Sequence, residues 1–213
     1  MIKLGTARIN ITPTEPVDLA GFIARVQPMT GIHDPLYAST LVIEQQKDKF
    51  VYIVCDLLNL SRPGVAYFRE KIQERTGIPA NQIMISCTHT HSGPIATFVP
   101  PAKQGGPAIN PRRKNLGTLN QKYTEELTEN LQKLVTAAIE PQHMTEIDHI
   151  EYFSGTIEGL NIDRRAEAGK KGIHGPLVTH TAETDTSLQV VTFMNKQNKI
   201  KAVLVNFACH AMI

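Results

Sequence analysis

The sequence feature that most constrains the fold is a pair of apolar, β-branched segments at residues 36–45 and 50–58, joined by the polar residues 46–49. Two such segments around a short polar turn are typical of a β-hairpin. Apolar residues at helical spacing follow directly and predict a helix over residues 61–76 that stops at Gly77. A hairpin followed by an amphipathic helix indicates a sheet with a helical layer packed on it.

The rest of the pattern extends this start into a layered fold. Residues 121–139 have apolar positions at helical spacing and predict a second helix, which Pro141 ends. Strands are expected at residues 3–11 and 82–88. Two strand pairs are expected after the second helix, one at residues 146–157 and one formed by residues 187–194 and 200–208. The order predicts an α/β or α+β domain, with a mixed β-sheet and flanking helices. The last predicted strand runs almost to the end of the chain, so we expect the fold to be incomplete at its C-terminus.

Composition excludes several classes of protein. The chain has 213 residues, of which 41% are hydrophobic, and a formal net charge of +2. Residues 112–114, a basic patch in a Pro/Gly/Asn-rich stretch without aromatic residues, indicate a solvated loop and no nucleic-acid partner. No segment approaches the ~20 apolar residues of a transmembrane helix, and we find no signal peptide. The three cysteines form no CxxC pair and lie in apolar, strand-like segments, where a free cysteine is usually buried. We therefore expect a reducing compartment and a cytoplasmic location.

Two histidines stand where the strand predicted at 82–88 ends, in the motif THTHSGP. His89 and His91 would point to the same side of a strand, with Cα atoms about 7 Å apart. They could bind one metal ion, or act as one ligand and one proton-transfer group. The alternative is a pair of hydrogen-bonded histidines at an exposed strand end, and the short spacing leaves both interpretations open.

Two further histidines are candidates for the same site. His210 also follows an apolar strand and could converge on the first pair, although a hydrogen-bonded core histidine is the alternative. His33 lies in a long irregular loop at residues 14–35, of a length that is often functional in compact domains. Its neighbour Asp34 could simply cap a turn.

Charged residues after strands complete the candidates. Asp56 ends an apolar strand, where its carboxylate could orient a metal-ligating histidine or start a turn. Arg164 and Arg165 could clamp an anion or a carbonyl group, or form an ordinary surface pair. Nucleotide-binding glycine motifs are absent from the sequence, so dinucleotide and P-loop chemistry have no support. Ser92 lies near a histidine, but the absence of the G-x-S-x-G nucleophile motif disfavours serine-hydrolase chemistry.

Several collinear motifs together resemble one family. They are ARINITP (7–13), LAGF (19–22), GIHDPLYAST (31–40), VCDLL (54–58), CTHTHSGP (87–94), NIDRR (161–165) and VNFACHA (205–211). Their order is similar to that in neutral/alkaline non-lysosomal ceramidases and their shorter bacterial relatives. The resemblance identifies residues 1–213 as a single catalytic-type domain, the amino-terminal part of a longer family domain.

The resemblance implies a zinc site and a set of roles. His89 and His210 correspond to zinc ligands, and His91 lies beside the zinc, where it contacts the substrate amide or moves a proton. The arginine pair contacts the substrate, with Arg164 favoured over Arg165, and His33 lines the same pocket. The family completes its zinc shell with a glutamate and a tyrosine much further along the chain than Ile213.

The expected function is hydrolysis of an N-acyl amide bond, in ceramide or a related acyl amide, by a zinc-activated water. The partners would be a small acyl-amide or lipid substrate of sphingolipid metabolism and, because a sheet edge stays open, a second copy of the chain. One alternative is a catalytically incomplete fragment that acts as a binding or assembly module. The other is a different metal-dependent hydrolase, an esterase or phosphatase, that uses the same histidines.

Overall fold

A computed structural model of the chain describes residues 1–22, 25, 27–96, 119–161 and 184–210. They form two compact units, of which the first comprises Met1–Asp148 and the second His149–His210. Each unit has its own β-sheet. The assignment of one domain to residues 1–213 stays a prediction.

The first unit is built on a five-stranded mixed sheet. Its strands are β1 (Ile2–Asn10), β2 (Tyr37–Gln45), β3 (Asp48–Cys55), β4 (Ile83–Cys87) and β5 (Met144–Ile147), in the order β4-β3-β2-β1-β5. β3 and β4 are parallel and all other neighbours are antiparallel. The hairpin and the mixed sheet predicted from the sequence are therefore confirmed.

Two helices pack on this sheet, and local signals set their ends. In α1 (Arg62–Thr76), the Ser61 hydroxyl accepts a hydrogen bond from Gly64 N at 3.1 Å, and Gly77 ends the helix with a φ of 72°. In α2 (Gln121–Ala138), the first turn is capped by the Asn120 side chain. Both predicted helices are confirmed, because N-cap side chains and a left-handed glycine act within one turn of sequence.

One face of the sheet and the inner sides of the two helices form the core. Register places Ala38 beside Cys55 and Val42 beside Val51, and all four side chains are fully buried. α2 packs against β1 and β2 and comes so close that a Cβ on Gly5 would lie 1.9 Å from Ala138 O. Only glycine fits at this contact.

The parallel pair β3 and β4 positions the histidine motif. α1 lies between these strands in sequence, and their last residues, Cys55 and Cys87, are register partners. Asp56 and Thr88 therefore leave the sheet side by side, at the carboxyl edge where sheets of this type place their ligands.

The second unit is a three-stranded antiparallel sheet. Its strands are β6 (His149–Thr156), β7 (Ser187–Met194) and β8 (Ile200–Phe207), in that order. The prediction of a strand pair within residues 146–157 is confirmed in part, because the chain forms two strands here with a break at Asp148, but the two strands do not pair with each other. β5 pairs with β1 and β6 pairs with β7, so the two halves of that apolar run belong to different sheets.

No helix in the described part of the chain is both long and apolar enough to span a membrane. The cysteines are all free. Cys55 is buried, but Cys209 is exposed because the chain has already left β8 at this position, so only part of the expected cysteine burial is found.

Candidate functional site

His89 is held in an uncommon backbone conformation by two contacts to the segment after β3. Its φ of 64° lies in the left-handed region, which side-chain-bearing residues rarely adopt. The main-chain N–H of His89 donates to Leu57 O at 3.0 Å, and the ring Nδ1 lies 2.9 Å from Leu58 O. Because a carbonyl oxygen only accepts, Nδ1 carries a hydrogen, and the corresponding neutral tautomer has its lone pair on Nε2.

The two histidines of the motif come together, but not by the geometry expected from the sequence. β4 ends at Cys87, and the left-handed turn at His89 replaces the alternation of a strand. The prediction that His89 and His91 share one strand face is therefore wrong. Their ring centroids are nevertheless 5.2 Å apart with planes at 76°, and a ring nitrogen of each lies within 4.8 Å of the other.

The long loop at residues 14–35 forms one side of this site. Ala20 N donates to Gly93 O at 2.9 Å, and Ile95 N donates to Asp18 O at 3.1 Å. A β-bridge between Leu19 and Pro94 lies between these bonds. The loop therefore pairs with the segment that follows His91, and its functional role stays a prediction.

Three residues of that loop enclose His91. The ring of Phe22 meets the imidazole edge to face at 5.2 Å. The Arg25 guanidinium donates from Nη1 to His91 O and to Ala20 O, each at 3.1 Å, and lies 4.9 Å above the Phe22 ring. Gly21 has a φ of 103°, and a Cβ there would lie 2.5 Å from Cγ of His91.

Sequence reasoning missed these three residues as members of the site. The available signal was the LAGF motif, in which a glycine and an aromatic residue adjoin within a long irregular loop. Arg25 carries no local signal for the site, because its acceptor there, His91 O, is 66 residues away in the sequence. Leu58 was also missed, since its contribution is a main-chain carbonyl, which every residue has.

Asp56 organises the edge of the sheet next to His89. Its Oδ1 accepts from the Thr88 hydroxyl at 3.2 Å, and its Oδ2 accepts from Tyr37 N at 2.9 Å. The carboxylate thus ties the ends of β2 and β4 together, one residue before the candidate ligand. Its assignment as an orienting residue for a ligating histidine stays a prediction.

The two cysteines at this edge are poor candidates for metal or nucleophile chemistry. Burial raises the pKa of the Cys87 thiol to about 11. Burial, followed by the proximity of Cys87 and Asp56, raises the pKa of the Cys55 thiol further. Both groups are therefore protonated at neutral pH, whereas metal binding and nucleophilic attack require the thiolate.

A cleft of about 350 Å³ opens next to the histidine motif. Leu19, Met29 and Ile32 supply apolar wall, while Thr90 and Ser92 line it from the histidine loop. His33 is also in the wall, with a side chain 99% exposed and its Nδ1 2.8 Å from Asp34 Oδ2. The structure thus places His33 at the rim of this cleft, and its role in substrate binding stays a prediction.

The remaining predicted site residues stay predictions. His210 follows β8 in the second unit and has an exposed side chain. Arg164 and Arg165 lie outside the described residues, as do residues 97–118, which include the basic patch at 112–114.

Comparison with known proteins identifies the family. Residues 2–212 match the sequence model of the family described as neutral/alkaline non-lysosomal ceramidase, N-terminal. The chain therefore belongs to this family, and the resemblance found in its motifs is confirmed. No curated protein sequence matches the chain.

Two solved structures are similar over 96% of the chain. One is described as neutral ceramidase from Pseudomonas aeruginosa, with 16% sequence identity and a TM-score of 0.71. The other is described as a ceramidase complexed with C2, with 17% identity and the same TM-score. The match covers 31% and 30% of those chains, so this chain spans less than a third of their length. At this level of identity the similarity demonstrates a shared fold.

Proposed function

We propose that the protein is a zinc-dependent amidohydrolase domain that cleaves the N-acyl amide bond of ceramide or a related acyl amide. Membership of the ceramidase family supports amide hydrolysis as the type of reaction. The observation that carries the proposal is the hydrogen bond from His89 Nδ1–H to Leu58 O, together with the contact between the His89 and His91 rings.

The donor chemistry at His89 suits zinc. A zinc-binding histidine commonly donates its second ring nitrogen to a carbonyl or carboxylate oxygen, which orients the ring toward the metal. His89 already makes such a bond, so its Nε2 has the lone pair that a ligand needs. We assign His210 as the second ligand on the family resemblance. When bound, zinc would polarise the amide carbonyl and lower the pKa of a water to about 7.

The other residues of the site have distinct roles in this proposal. His91 accepts a proton, or donates one to the leaving amine, at the ring nitrogen nearest to His89. Arg164, with Arg165 as the alternative, binds the carbonyl oxygen as negative charge develops on it. Asp56 keeps the segment before His89 in place through Thr88.

The cleft beside the histidines favours an amphipathic substrate. Its Leu19, Met29 and Ile32 side chains suit an acyl chain, and the Thr90 and Ser92 side chains suit the polar part of an amide. His33, at the rim, would contact the polar headgroup. A role in sphingolipid metabolism, a cytoplasmic location and self-association belong to the same proposal, and the free cysteines support a reducing compartment.

Zinc titration of the 213-residue chain tests the metal site. Two histidines are fewer than the three protein ligands of most catalytic zinc sites, so we expect weak but stoichiometric binding by calorimetry. His89→Ala and His210→Ala should each lower the zinc affinity by at least about 100-fold, more than the loss of an orienting partner costs. His149→Ala, which removes an imidazole that lies near Glu151, is the matched control. Unchanged zinc affinity in His89→Ala would refute the site.

Turnover of N-acyl amides tests the reaction. The zinc-loaded chain should release fatty acid from ceramide or a simpler acyl amide, and a parallel set of carboxylic and phosphate esters distinguishes amidase from esterase or phosphatase activity. Stoichiometric zinc without turnover of any of these substrates would support a binding or assembly module instead.

A further inference from the structure

We propose that Arg25 is a positioning residue for His91, which it orients through the main chain and through the ring of Phe22. The inference rests on the proposed function only in that it gives His91 a role in catalysis. The described hydrogen bonds of Arg25 go to main-chain oxygens of Ala20 and His91. They do not include His89, His33 or the arginine pair that we assign to substrate binding.

The first connection is through the main chain. The Nη1 of Arg25 bonds to His91 O and to Ala20 O, both at 3.1 Å. Ala20 is itself paired with Gly93, two residues beyond His91. A single guanidinium therefore bridges two segments that lie side by side and contacts the main chain at His91 itself.

The second connection is through the aromatic ring. The guanidinium carbon of Arg25 lies 4.9 Å from the centroid of Phe22, within the range of a cation–π contact. Phe22 in turn packs edge to face on the His91 imidazole, which has the His89 ring as a further neighbour. Phe22 is 42% exposed, so the packing of the core does not hold its ring in place. Arg25 is the group that orients it.

The role of Arg25 in positioning His91 can be distinguished from a role in the stability of the loop. The pairing of Ala20 with Gly93 and of Ile95 with Asp18 is made by main-chain groups and does not require the Arg25 side chain. Replacement of Arg25 therefore leaves the loop paired but allows the His91 ring and carbonyl to relax. A relaxation of about 1 Å at a group that transfers a proton is enough to lower turnover about 100-fold.

The test compares Arg25→Met and Arg25→Lys with Arg75→Met. Arg75 is an exposed arginine in the last turn of α1, so it controls for the loss of one charge and of one long side chain. The first readout is the set of imidazole proton–carbon NMR signals, with that of His91 identified by its loss in His91→Gln. Because Phe22 is an edge-to-face neighbour, its ring current shifts the His91 signal, and this shift reports the orientation of the two rings.

We expect Arg25→Met to move the His91 signal toward the random-coil position and Arg25→Lys to restore part of the shift, while Arg75→Met leaves it unchanged. In zinc-loaded protein, Arg25→Met should lower kcat about 10–100-fold with less than a threefold change in KM. Zinc affinity should stay within about threefold of the wild-type value, since the contacts of His89 to Leu57 and Leu58 are untouched.

Two results would overturn the proposal. One is a His91 signal that moves no further in Arg25→Met than in Arg75→Met. The other is a loss of dispersion across all imidazole signals in both Arg25 variants, which would make Arg25 a support of the whole unit. If the wild-type chain neither binds zinc nor hydrolyses amides, the proposed function fails, but the NMR comparison still decides the role of Arg25.

Discussion

Replacement of Gly21 by alanine is the sharpest test of how the loop and His91 are joined. A Cβ at this position would lie 2.5 Å from Cγ of His91 and 2.7 Å from its Cβ and Nδ1. Distances below 3.0 Å require a movement, and the obstacle is the rigid base of an aromatic ring. Gly21 also has a φ of 103°, which side-chain-bearing residues rarely adopt.

The magnitudes indicate which part of the structure gives way. A side chain in the left-handed region costs about 1–2 kcal/mol, and an unrelieved overlap costs about 1–3 kcal/mol more. The hydrogen bond between Ala20 and Gly93 contributes only about 0.5–1.5 kcal/mol. Moving the loop or the His91 ring is therefore cheaper than retaining the overlap. We expect a modest loss of stability, about 1–3 kcal/mol, together with a displaced His91.

Gly77→Ala is the matched control. Gly77 has a φ of 72° in the same unit, but nothing lies within 4 Å of the position of its Cβ. Urea denaturation should show comparable losses of about 1–2 kcal/mol from backbone strain in both variants. Only Gly21→Ala should move the His91 NMR signal and lower kcat. A Gly21→Ala variant with the wild-type His91 signal would refute the close approach between the loop and the imidazole.

Three further predictions concern the first unit and its chemistry. Leu131 is fully buried, so Leu131→Ala should lower the free energy of unfolding, measured by urea denaturation, by about 2–5 kcal/mol. The control is Leu160→Ala in the second unit, where the side chain is 63% exposed and the change should be less than about 0.5 kcal/mol. Ser61→Ala should lower the free energy of unfolding by about 0.5–2 kcal/mol, because the hydrogen bond from Gly64 N is lost, and Ser61→Asp should restore most of this stability. Equal stability of the wild type and both variants would contradict the capping role of Ser61. Because the pKa of Cys87 is raised to about 11 from 9.0, the unfolded chain loses this proton first, and stability should fall between pH 9 and 11. In denaturation measured across this pH range, Cys87→Ala should reduce the fall in stability with pH. An unchanged pH dependence would contradict the raised pKa of Cys87.

Much of the first unit could be predicted from the sequence, because its signals are local. The hairpin follows from two β-branched segments around a polar turn, and α1 begins at Ser61 and ends at Gly77 as its capping residues predict. The collinear motifs also placed the chain in its family, which the match over residues 2–212 confirms. Each of these signals is read within about ten residues or from the order of short motifs along the chain.

The apolar run at residues 146–157 shows where local signals stop. Both halves have strand composition, but whether they pair with each other or with other strands depends on the available partners. β5 pairs with β1, and β6 pairs with β7, which begins more than 30 residues further along the chain. A break at Asp148 is therefore decided by pairing between distant segments.

The sequence by itself indicated His89 and His91 as candidate site residues, through their motif and its resemblance to a family. Tertiary structure decided how they meet: a left-handed turn at His89, the Leu58 carbonyl that sets its tautomer, and a loop whose Gly21, Phe22 and Arg25 enclose His91. The physical reason is that a side-chain pattern reports the faces of regular elements, whereas these contacts depend on backbone carbonyls and on a close approach between segments about 70 residues apart.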